Sequence, residues 1–234
     1  MSTEFTDRGE PDDHRTIEDA RSAEEPTSEH LERPDDGLER LDRSAPEPTG
    51  LREVPLRELH DRHPGEYLEP MSRTTPVERF QDPERTVHQI NPMLDSSPAY
   101  QVNCADCSRA VERTWRGDRE EAAGRSELRG ETDGRTQEWA GESFHAMRSA
   151  DDVRDRVLEG GPGSSAIVHT DFVDHDGNPG GHAYNVVNHE GQVRVVDGQL
   201  GEVYDWHEGT GHPAMASVDR VRAVGWDGNG RALW

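Results

Sequence analysis

The apolar positions along the chain keep a helical rhythm first and a strand rhythm afterwards. Cys107, Ala110, Val111, Thr114 and Trp115 recur at i, i+3, i+4, i+7 and i+8, which predicts an amphipathic helix over Cys104–Arg116. Asn103 can cap its start and Gly117 can end it. A second helix is predicted over Ala150–Leu158. There Ser149 and Asp152 stand in capping-box spacing, Val153, Val157 and Leu158 point inward, and Gly160-Gly161 stops the pattern. From Ser165 onward the period shortens to two, predicting strands at Ser165–Val173, His182–Asn188, Gln192–Asp197, Glu202–Trp206 and Arg222–Trp226, with a glycine turn at Asp176–Gly181. Connections this short make the sheet antiparallel, so helices followed by strands predict an α+β domain with its helices packed on one face.

Two stretches lack such a rhythm. Gly117–Gly141 is polar and glycine-punctuated and reads as a long irregular loop. Residues 1–50 alternate acids with arginine, proline, serine and threonine, and bury too little to repay the entropy of ordering. Val54, Leu56 and Leu59 make a short amphipathic element that Pro55 and the following HPGEYLEP limit, so it reads as a linker or docking segment. The expected organisation is a disordered acidic leader and linker over 1–87 and one folded domain over 88–234. Composition agrees: all five tryptophans and 19 of the 23 glycines follow residue 90.

Charge narrows the partners. The chain carries 49 acids against 26 basic residues, every one of them arginine, for a net charge of −23. The excess is spread evenly, with 24 acids to 12 arginines in residues 1–90 and 25 to 14 thereafter. Such a field argues against nucleic acid or anionic membrane as a broad partner and favours a neutral or basic protein. No stretch approaches the roughly 18–20 apolar residues of a membrane span. The start, MSTEFTDRGEPDD, has neither a basic n-region nor an apolar h-region, so no conventional signal peptide is expected. The expected location is the cytoplasm of the producing cell, with any export into a target cell by a signal-peptide-independent route.

The only two cysteines, Cys104 and Cys107, form a C-x-x-C at the predicted helix start. Four readings of this pair stay open: a redox couple, which wants a βαβ context that the chain does not offer; a zinc pair borrowing His207 and His212 from far downstream; two inert buried thiols; and a nucleophile. The nucleophile reading draws on the N–H groups and positive dipole end of a helix N-terminus, where Cys104 sits, whereas Cys107 shares the core stripe. A nucleophile needs a base. If Glu190-Gly191 forms a two-residue hairpin turn, Tyr184 lies opposite Asp197 and His182 opposite Gln199. Alternation then puts His182, Tyr184, Val186, Val193, Val195, Asp197 and Gln199 on one face, with an imidazole diagonal to a carboxylate. His182 and Asp197 fit the base and orienter of a Cys-His-Asp triad.

The motifs NPMLDSSPAYQVNCADCSRAVERTWRG, GGPGSSAIVHTDF and GGHAYNVVNHEGQVRVVDGQLG resemble those of papain-fold toxin domains of bacterial polymorphic toxin systems, of the glutamine deamidase type. The likeness spans about residues 88–230. It implies a papain-like fold in which a nucleophile helix packs on an antiparallel sheet, with Cys104 as nucleophile, His182 as base and Asp197 as orienter. It further implies a cysteine amidohydrolase that converts a glutamine side chain of a target protein to glutamate, without cofactor or metal, and a possible immunity protein as second partner. The oxyanion would be held by the Cys104 backbone N–H with side-chain amides from Gln101 or Asn103, and Gln199 stands beside the base. Gln101 lies six residues before Cys107, the spacing of the oxyanion glutamine in papain-like proteases, so Cys107 remains a second candidate nucleophile. The acidic Asp118–Gly141 insertion departs from the pattern and leaves substrate preference open. Peptidase and transglutaminase activities are the near alternatives, and an inactive protein-binding module of the same fold is the distant one.

Overall fold

A computed structural model describes residues 50, 51, 54–69 and 74–234; the expected disorder of 1–49 concerns residues outside this set. The elements in chain order are α1 (Leu56–Arg62), β1 (Thr75–Pro76), α2 (Cys104–Trp115), β2 (Asp118–Arg119), α3 (Asp133–Ala140), β3 (His145–Met147) and α4 (Ala150–Glu159). β4 (Ser165–Asp174), β5 (Pro179–His189), β6 (Gln192–Asp197), β7 (Glu202–Asp205) and β8 (Met215–Trp226) follow. Six strands form one antiparallel sheet in the order β3-β8-β4-β5-β6-β7, and β1 pairs with β2 separately. The α+β class expected from the sequence is therefore observed.

Alternation along the central strands divides the core between the two faces of this sheet. Ile167, Val187, Val196 and Val224 face α2 and α3, meeting Cys107, Ala110, Val111, Trp115 and Trp139. Ala166, Val168, Val186, Val195, Val221 and Ala223 face α4 and meet Val153 and Val157. The expectation of helices on one face is thus corrected. Both faces of β4, β5, β6 and β8 are apolar enough to need a cover, and α4 supplies the second one.

Three further boundaries move. α1 was expected as a linker, yet Leu56 and Leu59 are buried in the main core with Leu51, so the folded unit reaches back at least to Gly50 and not to residue 88. Pro55 occupies the N-cap position of α1, where its missing N–H costs the helix nothing. The supposed loop 117–141 contains β2 and α3, whose inward residues Thr136, Trp139 and Ala140 keep helical spacing. β8 begins at Met215, seven residues before the predicted start, with register irregularities near Phe172 and Val173 of its partner strand.

The hairpin β5–β6 has the expected register, with Asn188 opposite Val193 and Asn185 opposite Val196. Glu190 and Gly191 both have positive φ, 51° and 89°, as a type I′ turn requires, and the Asn188 side chain accepts the Gly191 N–H at 2.8 Å.

Candidate active site

Every residue of α2 after Cys104 is buried, including its polar ones, because the helix is covered on all sides. On the side away from the sheet, Asp106 accepts from Arg109 at 2.7 Å, from the backbone N–H of Ala123 at 2.7 Å, and faces His60 Nε2 of α1 at 3.0 Å. Arg109 continues the network to both oxygens of Glu131, each at 2.9 Å, and to Thr136 of α3 at 3.0 Å. At the far end Glu112 accepts from Arg116 at 2.6 Å and from Ser165 of β4 at 2.7 Å. Burial would raise the Asp106 carboxyl, but the charges of Arg109 and His60 and their hydrogen bonds hold it below the ordinary carboxylate range. The acidic insertion is therefore a clamp on the start of α2.

Asn103, expected as the helix cap, makes no side-chain cap bond. Its amide nitrogen donates instead to Asn91 Oδ1 at 3.2 Å and to the Ala123 carbonyl at 3.0 Å. Both amide hydrogens are then committed, leaving none for a substrate oxyanion. Asn91 in turn donates to the carbonyls of Tyr100 and Gln199, each at 3.0 Å, so one carboxamide ties the approach to α2 to the turn after β6. Gln199 is buried and spends one amide hydrogen on Asn103 Oδ1 at 3.4 Å. Gln101 is exposed, just past the 3-10 turn Pro98–Tyr100.

Cys104 is partly exposed and Cys107 fully buried. Burial, reinforced by the charges of Asp106, Cys104 and Asp197, pushes the Cys107 thiol well above its ordinary value. His182 Nε2 lies 2.8 Å from Asp197 Oδ2, and Cys104 is near enough to act on the same imidazole. With Nε2 engaged by Asp197, Nδ1 is the nitrogen left for Cys104. Burial of His182 opposes its positive charge, but the hydrogen bond and charge of Asp197, with those of Cys104, outweigh it and lift the group from 6.5 to about 10. Asp197 is itself fully buried. Burial would raise its carboxyl, whereas hydrogen bonds from His182, His212 and the Leu200 N–H and the charge of His182 hold it far below the ordinary range.

The turn after β6 fixes the carboxylate. Asp197 Oδ1 accepts the N–H groups of Gln199 and Leu200 at 2.9 and 3.0 Å, and the Asp197 carbonyl accepts from Gly201 at 2.9 Å. Gly198 follows Asp197 at the start of this turn. It is buried, and a Cβ there would stand 2.6 Å from Val111 Cγ2 and 3.1 Å from the Cys107 carbonyl, so glycine is needed for the turn to touch α2. This close approach is what brings the ends of β5 and β6 to the start of α2.

One residue in this cluster has no counterpart in the expected base–orienter arrangement. His212 Nε2 lies 3.2 Å from the same Asp197 Oδ2, and the imidazole is almost fully buried. His212 entered the sequence reading only as a borrowed zinc ligand with His207, but His207 Nδ1 sits 2.9 Å from Thr210 Oγ1 within its own loop. The side chains among the described residues that could converge on a cation are His182, Asp197 and His212, and both imidazoles already hydrogen-bond the carboxylate.

An exposed-edge thiol at a helix start, an imidazole and a buried carboxylate in sequence is the order that the resemblance implies. Residues 102–202 match the family described as papain fold toxin 1, glutamine deamidase. That span begins two residues before α2, ends at the first residue of β7, and contains Cys104, His182 and Asp197. The resemblance read from the sequence is therefore borne out over this part of the chain. His212 lies beyond its end. No curated protein and no solved structure matches the chain significantly. Among the described residues, no helix is long and apolar enough to cross a membrane.

Proposed function

We propose that the protein is a toxin enzyme that deamidates a glutamine side chain of a target protein, with Cys104 as nucleophile, His182 as proton carrier and Asp197 as orienter. The observation that carries the reading is His182 Nε2 held 2.8 Å from the buried Asp197 carboxylate, with the partly exposed Cys104 near enough to act on the same imidazole. The family description of the matched segment supports the choice of glutamine as the amide.

In the first half-reaction Cys104 Sγ, its proton transferred to His182, attacks the carboxamide carbon of the target glutamine. The C–S bond forms as the C=O bond becomes an oxyanion. Collapse of the tetrahedral intermediate expels the nitrogen, which takes the proton from His182 and leaves as ammonia, giving a thioester. Bonding of Sγ to carbon removes the negative charge that helped hold the proton on His182. The imidazole therefore becomes a stronger acid when the leaving nitrogen needs a proton. Water then attacks the thioester with His182 as base, and glutamate and the free thiol are released. Donors for the oxyanion are the Cys104 backbone N–H at the helix start, the exposed Gln101 and the second amide hydrogen of Gln199. Export by a signal-peptide-independent route, and an immunity protein that covers this site in the producing cell, complete the proposal.

The test is ammonia release from a glutamine-containing protein substrate by the full chain. Cys104→Ala is expected to abolish it, and His182→Ala to lower it by about three orders of magnitude or more. Release that persists in Cys104→Ala contradicts the assignment.

A further inference from the structure

The surroundings of His212 fix its protonation pattern without reference to any titration. Its Nδ1 receives the backbone N–H of Ala214 at 3.2 Å, so Nδ1 is a bare acceptor. The hydrogen of the ring must then sit on Nε2, which faces Asp197 Oδ2 at 3.2 Å. The loop holds this arrangement: Thr210 Oγ1 donates to the His212 carbonyl at 3.1 Å. The ring itself is caged by Tyr204, Tyr184 and His182, with ring centroids 5.0, 5.4 and 5.6 Å away. Asp197 is the anionic side chain that its Nε2 meets, and His182 the imidazole packed beside it.

We propose that His212 is a positioning residue of the site, a second imidazole that holds Asp197 Oδ2 against His182 Nε2 and shares its negative charge. The inference rests on the reading of Cys104, His182 and Asp197 as the reacting groups, and it adds a member from outside the matched segment. Oδ1 is occupied by the Gln199 and Leu200 N–H groups, so Oδ2 alone serves the histidines. An oxygen that accepts from both rings cannot rotate toward either one without losing the other. A neutral donor on a carboxylate also drains charge from it and weakens its pull on the proton of His182. His212 thereby keeps His182 from holding its proton too tightly to act as the acid in thioester formation.

The experiment reads the ring of His182 and requires no turnover, so its failure is distinct from a failure of the deamidase reading. Imidazole nitrogen shifts are followed against pH by NMR in the full chain, with the rate of Cys104 alkylation by iodoacetamide as a companion profile. In the unsubstituted protein His212 is expected to show a bare Nδ1 and a protonated Nε2. The opposite tautomer overturns the proposal without any variant having to fold. In His212→Phe, Asp197 keeps its backbone donors but loses one on Oδ2, so the His182 titration is expected to move upward by about half a pH unit or more, and the alkylation profile with it. His212→Gln, whose carboxamide can donate to Oδ2, is expected to restore both. If His212→Phe lowers the melting temperature but leaves both profiles where they were, the residue is only a packing element and the proposal fails.

Discussion

At the scale of single residues, Asp197 does two jobs with one carboxylate. It closes the turn after β6 through Oδ1 and orients two imidazoles through Oδ2, accepting four hydrogen bonds in all. An asparagine offers an NH2 where one of these oxygens stands, so either the turn N–H groups or the imidazoles would face another donor. Asp197→Asn is expected to lower the rate by about three to four orders of magnitude and to destabilise the fold by about 1–3 kcal/mol, measured by kinetics and denaturant unfolding. The same groups set the pH range of stability. Asp197 titrates below its unfolded value, so its contribution is present above about pH 4 and is lost as the pH falls further. His182 titrates above its unfolded value of 6.5, so its contribution is full below that value and is lost as the pH rises through about 10. Thermal unfolding midpoints should therefore be highest between about pH 4 and 6.5, fall as the pH drops further, and decline progressively from about 6.5 up to about 10; in His182→Ala the alkaline decline should shrink. The two cysteines divide in the same physical way. Iodoacetamide at neutral pH should label the partly exposed Cys104 and spare the buried Cys107, and Cys107→Ala should cost about 1 kcal/mol of stability through lost packing. Labelling of Cys107 first would reverse the assignment of nucleophile.

At the scale of elements, what the sequence disclosed depended on whether an element buries an apolar stripe of its own. α2, α4 and the hairpin β5–β6 do, and Glu190-Gly191 fixed the register that sets His182 beside Asp197. α1 and α3 were illegible because each offers two or three inward residues and relies on distant polar partners. Trp139 Nε1 donates to the Val54 carbonyl at 3.1 Å, and the Leu56 N–H donates to Glu120 at 3.1 Å. Asp106 and Arg109 lie off the apolar stripe of α2, and only the folded chain brings Glu131, Thr136 and His60 around them. His212 escaped for a similar reason: it lies in a loop without period, and its partner is assigned by tertiary packing alone. The buried network gives a prediction at this scale. Arg109→Met leaves Asp106 and Glu131 without their shared cation and is expected to destabilise the protein by about 3–5 kcal/mol. Leu59→Ala should cost about 2–5 kcal/mol if α1 belongs to the core. Chemical denaturation checks both, and an unchanged midpoint for Leu59→Ala would return α1 to the status of a linker.

At the scale of the whole molecule, the sheet carries helices on both faces, and the site lies where the start of α2 meets the ends of β5 and β6. The acidic surplus of the chain, net −23, suits a neutral or basic protein target and opposes association with nucleic acid. Under the proposed mechanism, hydrolysis of a side-chain amide, cleavage of a peptide bond and acyl transfer to an amine would each pass through a thioester on Cys104 and differ in the acyl group and the acceptor. The measurement that bears most directly on the choice is mass spectrometry of a bacterial cell lysate after incubation with the full chain, with Cys104→Ala as control. Enzyme-dependent conversion of glutamine to glutamate, with ammonia release and an intact backbone, is expected. New peptide termini, or amines incorporated at glutamine, without that conversion would contradict this expectation.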